Sequence, residues 1–270
     1  MRQFIREYLL AVQFFTRIPV TGRLAGWVGF SPAMLRASAA HFPGVGVVVG
    51  TLAATVFALL QAALPDTLFA PLVAAALSTV ATVLLTGGFH EDGLADVTDG
   101  LGGSYHRERA LEIMKDSRVG AFGALALVLV LLCKVALLAL LGSQDLGTGY
   151  AYICAALLAG HVVSRLVPLL LIYRLPHVGD TAQSKSKPLA DQITPVRLLI
   201  AFLWCFGALA LANIALPAID LLVACAAAGL ALLWMARLFR RRLQGFTGDC
   251  LGATQQVCEV AFYLGLAVSV

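Results

Sequence analysis

The sequence predicts an all-α, polytopic integral membrane protein: a helical bundle of about seven transmembrane helices with an N-terminal interfacial helix. Three observations predict it. Of 270 residues, 60% are hydrophobic and the mean hydropathy is +0.89, more apolar surface than a globule of this size can hide. A bilayer core about 30 Å thick needs roughly 20 apolar residues per helix, and such runs recur at 44–64, 68–88, 119–141, 149–173, 197–217, 219–238 and 251–270. All but two of the 19 Lys and Arg residues then fall on one side, as expected where short cytoplasmic loops retain positive charge. Residues 1–270 are read as a single membrane-embedded domain.

Each segment follows in order. Residues 3–15 mix Arg6 and Glu7 into an apolar run without a small-residue cleavage pattern, and read as an amphipathic helix lying in the interface. Arg2, Arg6, Arg17, Arg23 and Arg36 precede the first span. The second span leads into a polar loop, 89–118, with an acidic run followed by Arg107, Arg109, Lys115 and Arg118. The third span holds Lys134, and the fourth His161 and Arg165. A second polar loop, 174–196, carries Arg174, Lys185 and Lys187. The sixth span begins beside Asp220 and runs into a third polar loop, 239–250, with Arg240, Arg241 and Arg242 before Thr247-Gly248-Asp249. Gln255, Gln256 and Glu259 interrupt the last span. The opposite connections, near 65–67, 142–148 and 217–218, contain no Lys or Arg. The N-terminus is therefore expected in the cytoplasm and the C-terminus outside. The six cysteines lack metal-ligand spacing, and a net charge of +4 follows from this topology without implying nucleic acid.

The chemistry concentrates in His90-Glu91-Asp92-Gly93-Leu94-Ala95-Asp96-Val97-Thr98-Asp99. Four carboxylates in nine residues, in a chain only 13% charged, repel one another and call for a cation. As a helix, the run places Asp92, Asp96 and Asp99 at i, i+4 and i+7 on one face. Mg²⁺ suits such oxygen ligands and is commonly shared between carboxylates, water and substrate phosphates. Asp249 adds a fourth carboxylate from the far end of the chain, or else caps the last helix. Lys115, Ser117 and Arg118 present donors suited to phosphate, or anchor the interface. Ionisable groups inside spans are expensive and face polar cavities. Arg165, about 12 Å from the basic end of its helix, either floors such a pocket with His161 or snorkels to the interface. Lys134 poses the same choice on the opposite side.

Together these segments resemble the adenosylcobinamide-GDP ribazoletransferases, also called cobalamin-5′-phosphate synthases. The resemblance rests on Phe15-Thr16-Arg17-Ile18-Pro19-Val20, Phe42-Pro43 with Gly44 and Gly46, the acidic block between Gly87 and Gly103, Lys115-Asp116-Ser117-Arg118 with Gly120 and Gly123, and Thr247-Gly248-Asp249 with Gly252. It implies Mg²⁺-dependent joining of α-ribazole, or its 5′-phosphate, to adenosylcobinamide-GDP with release of GMP, the last nucleotide-loop step of cobalamin assembly. On that basis Asp92, Asp96 and Asp99 are the expected metal set, supported by Glu91 and Asp249. Lys115, Ser117, Arg118, Arg165 and Thr247 are expected to hold substrate or phosphate, with His90 or Asp116 as a general base. The expected setting is the cytoplasmic (inner) membrane of a bacterium or archaeon, with the site facing the cytoplasm. Membrane lipid, a second copy of the chain or other late enzymes of the pathway are the expected partners. A CDP-alcohol phosphotransferase or an intramembrane prenyltransferase is the alternative enzyme, although the spacing after Asp92-Gly93 differs from the alcohol phosphotransferase pattern. A transporter is the alternative of another class, disfavoured because the acids cluster at the surface.

Overall fold

Lipid offers no water to backbone amides, so a chain this apolar satisfies them within helices. The computed structural model describes residues 1–144, 150–179, 193–216 and 219–269. Lys185, Lys187 and the tips of two connections, 145–148 and 217–218, lie outside the described residues. Twelve α-helices are described: α1 Arg2–Phe15, α2 Gly22–Val28, α3 Pro32–Ser38, α4 Phe42–Ala63, α5 Ala70–Thr86, α6 Phe89–Gly103, α7 Arg107–Ile113, α8 Ala121–Gly142, α9 Ala151–Arg174, α10 Pro195–Ala215, α11 Leu221–Arg242 and α12 Gly248–Ala267. A 3₁₀ turn, Ala39–His41, joins α3 to α4.

Every predicted span contains a helix, yet only five are long and apolar enough to cross a bilayer unaided, or six if the bent α5–α6 pair counts as one span. The expectation of about seven is therefore approximate. The exception is α12, whose 20 residues reach about 30 Å but carry Asp249, Gln255, Gln256 and Glu259. It lies against α6, α8, α9 and α11, and Gln255, Gln256 and Glu259 are buried among them.

The central post is α9: 89% of its most apolar window is buried, against 17–33% in the other apolar helices. Whatever polar groups α9 carries therefore sit in the middle of the bundle. Residues 89–118, expected as a loop, instead form α6 and α7. Helix α5 stops at Gly87 and Gly88, whose φ of 69° and 71° lie in the left-handed region that glycine adopts without penalty. The chain turns by 90° there, so α6 leaves the span and lies along the end of the bundle that carries the basic residues. Arg242 of α11 holds its far end by donating to the Leu101 and Ser104 carbonyls at 3.1 and 2.7 Å. Arg107 returns the contact, donating to the Leu243 carbonyl at 2.7 Å. The segment after α9 is tied to the start of α12 as well: Phe246 N donates to Pro176 O at 3.0 Å and Val178 N to Phe246 O at 2.9 Å.

Candidate active site

Helices α6 and α12 touch because neither has a side chain where they cross. A Cβ on Gly93 would stand 2.8 Å from the Asp249 carbonyl oxygen, and one on Gly252 would stand 3.1 Å from that of His90. This crossing puts the Asp92–Asp96 face of α6 next to Asp249. Burial, then the charges of Asp249, Asp92 and Asp99, push the Asp96 carboxyl up to about 7. The four aspartates therefore share one field, as like charges do when confined together.

Their surroundings differ. The Thr247 hydroxyl caps α12, accepting from Cys250 N at 3.4 Å and donating to the Asp249 carboxylate at 3.2 Å. Thr247, expected to bind substrate, thus takes the capping role that Asp249 was also a candidate for. Asp99 accepts from Gly120 N at 2.7 Å and Gly123 N at 2.8 Å, satisfying the orphan amides at the start of α8. Glu91 turns toward α12, where one oxygen accepts from Gln256 at 2.9 Å and the other is buried without a partner.

Lys115, Asp116, Ser117 and Arg118 form the exposed segment that enters α8 beside Asp99. Arg118 binds the Asp116 carboxylate at 2.5 and 2.9 Å, and those hydrogen bonds hold its pKa at about 2. Asp116, the other candidate general base, is thus already engaged by a guanidinium. His90 is buried and its imidazole is kept neutral, chiefly by desolvation.

Behind the acids lies a polar core. Glu259 pairs with Lys134 at 2.7 Å, accepts from Gln255 at 2.6 Å and Tyr263 at 3.2 Å, and lies 3.4 Å from His161. Gln255 also donates to Ser164 at 3.0 Å. Lys134 and Arg165 are 2% and 4% exposed, so neither snorkels. Arg165 donates to His161 O at 3.0 Å, and its Nε is buried without a partner. Arg165 and His90 face a hollow walled by Phe14, Phe15, Phe42 and Phe89. Sequence reasoning missed the partners Gln255 and Tyr263, although their i, i+4, i+8 spacing about Glu259 marks one polar face. The aromatic wall gave no comparable signal, since its phenylalanines come from three separate helices.

Among the described residues, no three His, Cys, Asp or Glu side chains are gathered closely enough to hold a metal ion by themselves. The donor chemistry nevertheless suits Mg²⁺, which takes one or two carboxylates and completes its shell with water and phosphate.

Fold and site thus define a class: a polytopic helical membrane protein with a carboxylate-lined site at the end of the bundle that bears its basic residues. The family model described as cobalamin-5-phosphate synthase matches residues 7–267. An adenosylcobinamide-GDP ribazoletransferase of Polaromonas naphthalenivorans is 76% identical over the full length of both chains. One of Shewanella piezotolerans is 41% identical, covering 99% of this chain and 96% of its own. No solved structure matches. This chain belongs to the cobalamin-5-phosphate synthase family.

Proposed function

We propose that the chain transfers the adenosylcobinamide phosphate of adenosylcobinamide-GDP to a ribose hydroxyl of α-ribazole or of α-ribazole 5′-phosphate, releasing GMP. The membership of the family supports the reaction, and the α6–α12 crossing supports the place. The new bond forms between the acceptor oxygen and the phosphorus attached to cobinamide. The bond from that phosphorus to the bridging oxygen breaks, and the oxygen leaves with GMP. The proton of the attacking ribose hydroxyl must also be removed, whichever of the two acceptors is used.

Asp92, Asp96 and Asp249 are the side chains that would hold Mg²⁺. When bound, the ion neutralises charge on the pyrophosphate oxygens and on the departing GMP. Asp99 stands behind them and fixes α8 against α6. Lys115 and Ser117 on the adjoining segment offer donors to phosphate, and Arg118 adds a cation there. Arg165 meets the substrate from the aromatic hollow. The charge asymmetry of the loops supports a cytoplasmic membrane location with the site facing the cytoplasm.

The test is GMP release by the purified protein from adenosylcobinamide-GDP and α-ribazole. Mg²⁺-dependent release from the wild type and its loss, by about 10²-fold or more, in Asp96→Asn is expected. No release from the wild type overturns the activity; unchanged release from both Asp92→Asn and Asp96→Asn overturns the site.

A further inference from the structure

One hollow in the structure contributes only Arg165 to the account above, and its aromatic walls have no role there. Phe14 and Phe15 of α1, Phe42 at the start of α4 and Phe89 of α6 wall it, with His90 and Arg165 among its few polar side chains. Phe15 meets Phe42 at 4.0 Å between ring centroids and Phe89 at 5.6 Å, both edge to face. The enclosed volume is about 40 Å³ within a hollow of about 520 Å³ that includes its open mouth. An incoming flat ring must therefore part the phenyl side chains, exposing ring faces for stacking. The hollow adjoins the carboxylates: Phe89 and His90 immediately precede Glu91-Asp92 on α6, and Gly248, which also lines it, precedes Asp249.

Resting on the proposed reaction, we infer that this hollow is the subsite for the heteroaromatic base of the ribazole acceptor. The substrates contain three candidate ring systems, and their chemistry separates them. A guanine edge presents several donors and acceptors that need partners when buried, which a hollow with a few polar groups cannot supply. The corrin macrocycle is too large. The dimethylbenzimidazole of α-ribazole is flat, bicyclic and apolar, with one unsubstituted ring nitrogen that accepts a hydrogen bond. The hollow offers aromatic walls and, on Arg165, a buried Nε with no partner in the structure. Binding there leaves the ribose to extend toward Asp92 and Asp249, bringing its attacking hydroxyl to the transfer site.

The decisive comparison separates the two substrates. In Phe15→Leu and Phe89→Leu, KM for α-ribazole should rise on the order of tenfold, the effect of removing one ring from a stacked base, while KM for adenosylcobinamide-GDP stays at the wild-type value. An unchanged ribazole KM, or an equal rise in both, overturns the inference while wild-type GMP release leaves the reaction standing. A second measurement needs neither turnover nor loss of a phenylalanine. In Leu251→Cys, at another residue lining the hollow, thiol labelling at that position is read by mass spectrometry. Saturating α-ribazole should slow it at least fivefold. Protection by GMP with none by α-ribazole, protection by phospholipid vesicles alone, or no protection by either GMP or α-ribazole overturns the inference.

Discussion

Glu259 shows what a single buried carboxylate costs and organises. It is 1% exposed, and its two oxygens serve Lys134, Gln255 and Tyr263. Removing one partner of a buried pair leaves the other charged and uncompensated, at a cost of roughly 3–5 kcal/mol. Glu259→Gln should therefore lower the melting temperature in detergent markedly, whereas Lys134→Met with Glu259→Leu, which removes both charges, should recover most of the loss. Equal destabilisation by the single and double variants would show that the pair does not hold the core. At this scale the sequence was only partly legible. The costs of Lys134, Arg165 and Glu259 inside spans were visible, but not which would meet, because Lys134 and Glu259 come from helices far apart in the chain. Asp99 is the complementary case: its helical phase with Asp92 and Asp96 was readable, yet both its oxygens are used by Gly120 and Gly123, a commitment that depends on the path of the chain after α7.

At the scale of elements, the crossing of α6 and α12 creates the site, and glycines permit it. A methyl group at Gly93 would press on the backbone of Asp249, at 2.8 Å from its carbonyl oxygen, whereas one at Gly103 would meet the flexible end of Ile113 at 3.1 Å. Backbone cannot yield as a side chain does, and overpacking costs about 1–3 kcal/mol. Gly93→Ala should therefore separate the aspartates, losing most GMP release with a lower melting temperature, while Gly103→Ala keeps both near wild type. Comparable activity in the two variants would remove the crossing from the account. The helical spacing of the acids was legible and predicted α6, although a polar loop was expected around it. The right-angle turn before α6 was not legible: Gly87 and Gly88 mark a break, but the direction of the exit depends on the packing of α6 against α12 and α8.

For the whole molecule, charge and burial together explain why the apolar helices were easier to read than their number. Hydropathy registers side chains that face lipid, so α8, α10 and α11, largely exposed to it, stood out. Helix α12 is shielded by its neighbours and can carry Gln255, Gln256 and Glu259, which is why it is less apolar than the lipid-facing helices while matching a span in length. If α12 crosses, both ends of the chain's last helix are fixed by topology: Asp249 shares a membrane face with Asp92 and Arg242, and Val268 lies on the other with Ser143. Tyr105 and Ser143 are polar-segment positions on opposite sides of α8, and Val268 is exposed. Single cysteines introduced as Tyr105→Cys, Ser143→Cys and Val268→Cys in a background without the six native cysteines should sort accordingly. In intact cells a membrane-impermeant thiol reagent should label the second and third, and reach the first only after the membrane is opened. Labelling of Val268→Cys only in opened membranes would return α12 to the basic side and make it a buried re-entrant helix, with an even number of crossings. That outcome would leave the contact between α6 and α12 intact, because Gly93 and Gly252 require only proximity, but it would change how the corrinoid approaches a site then covered from both ends.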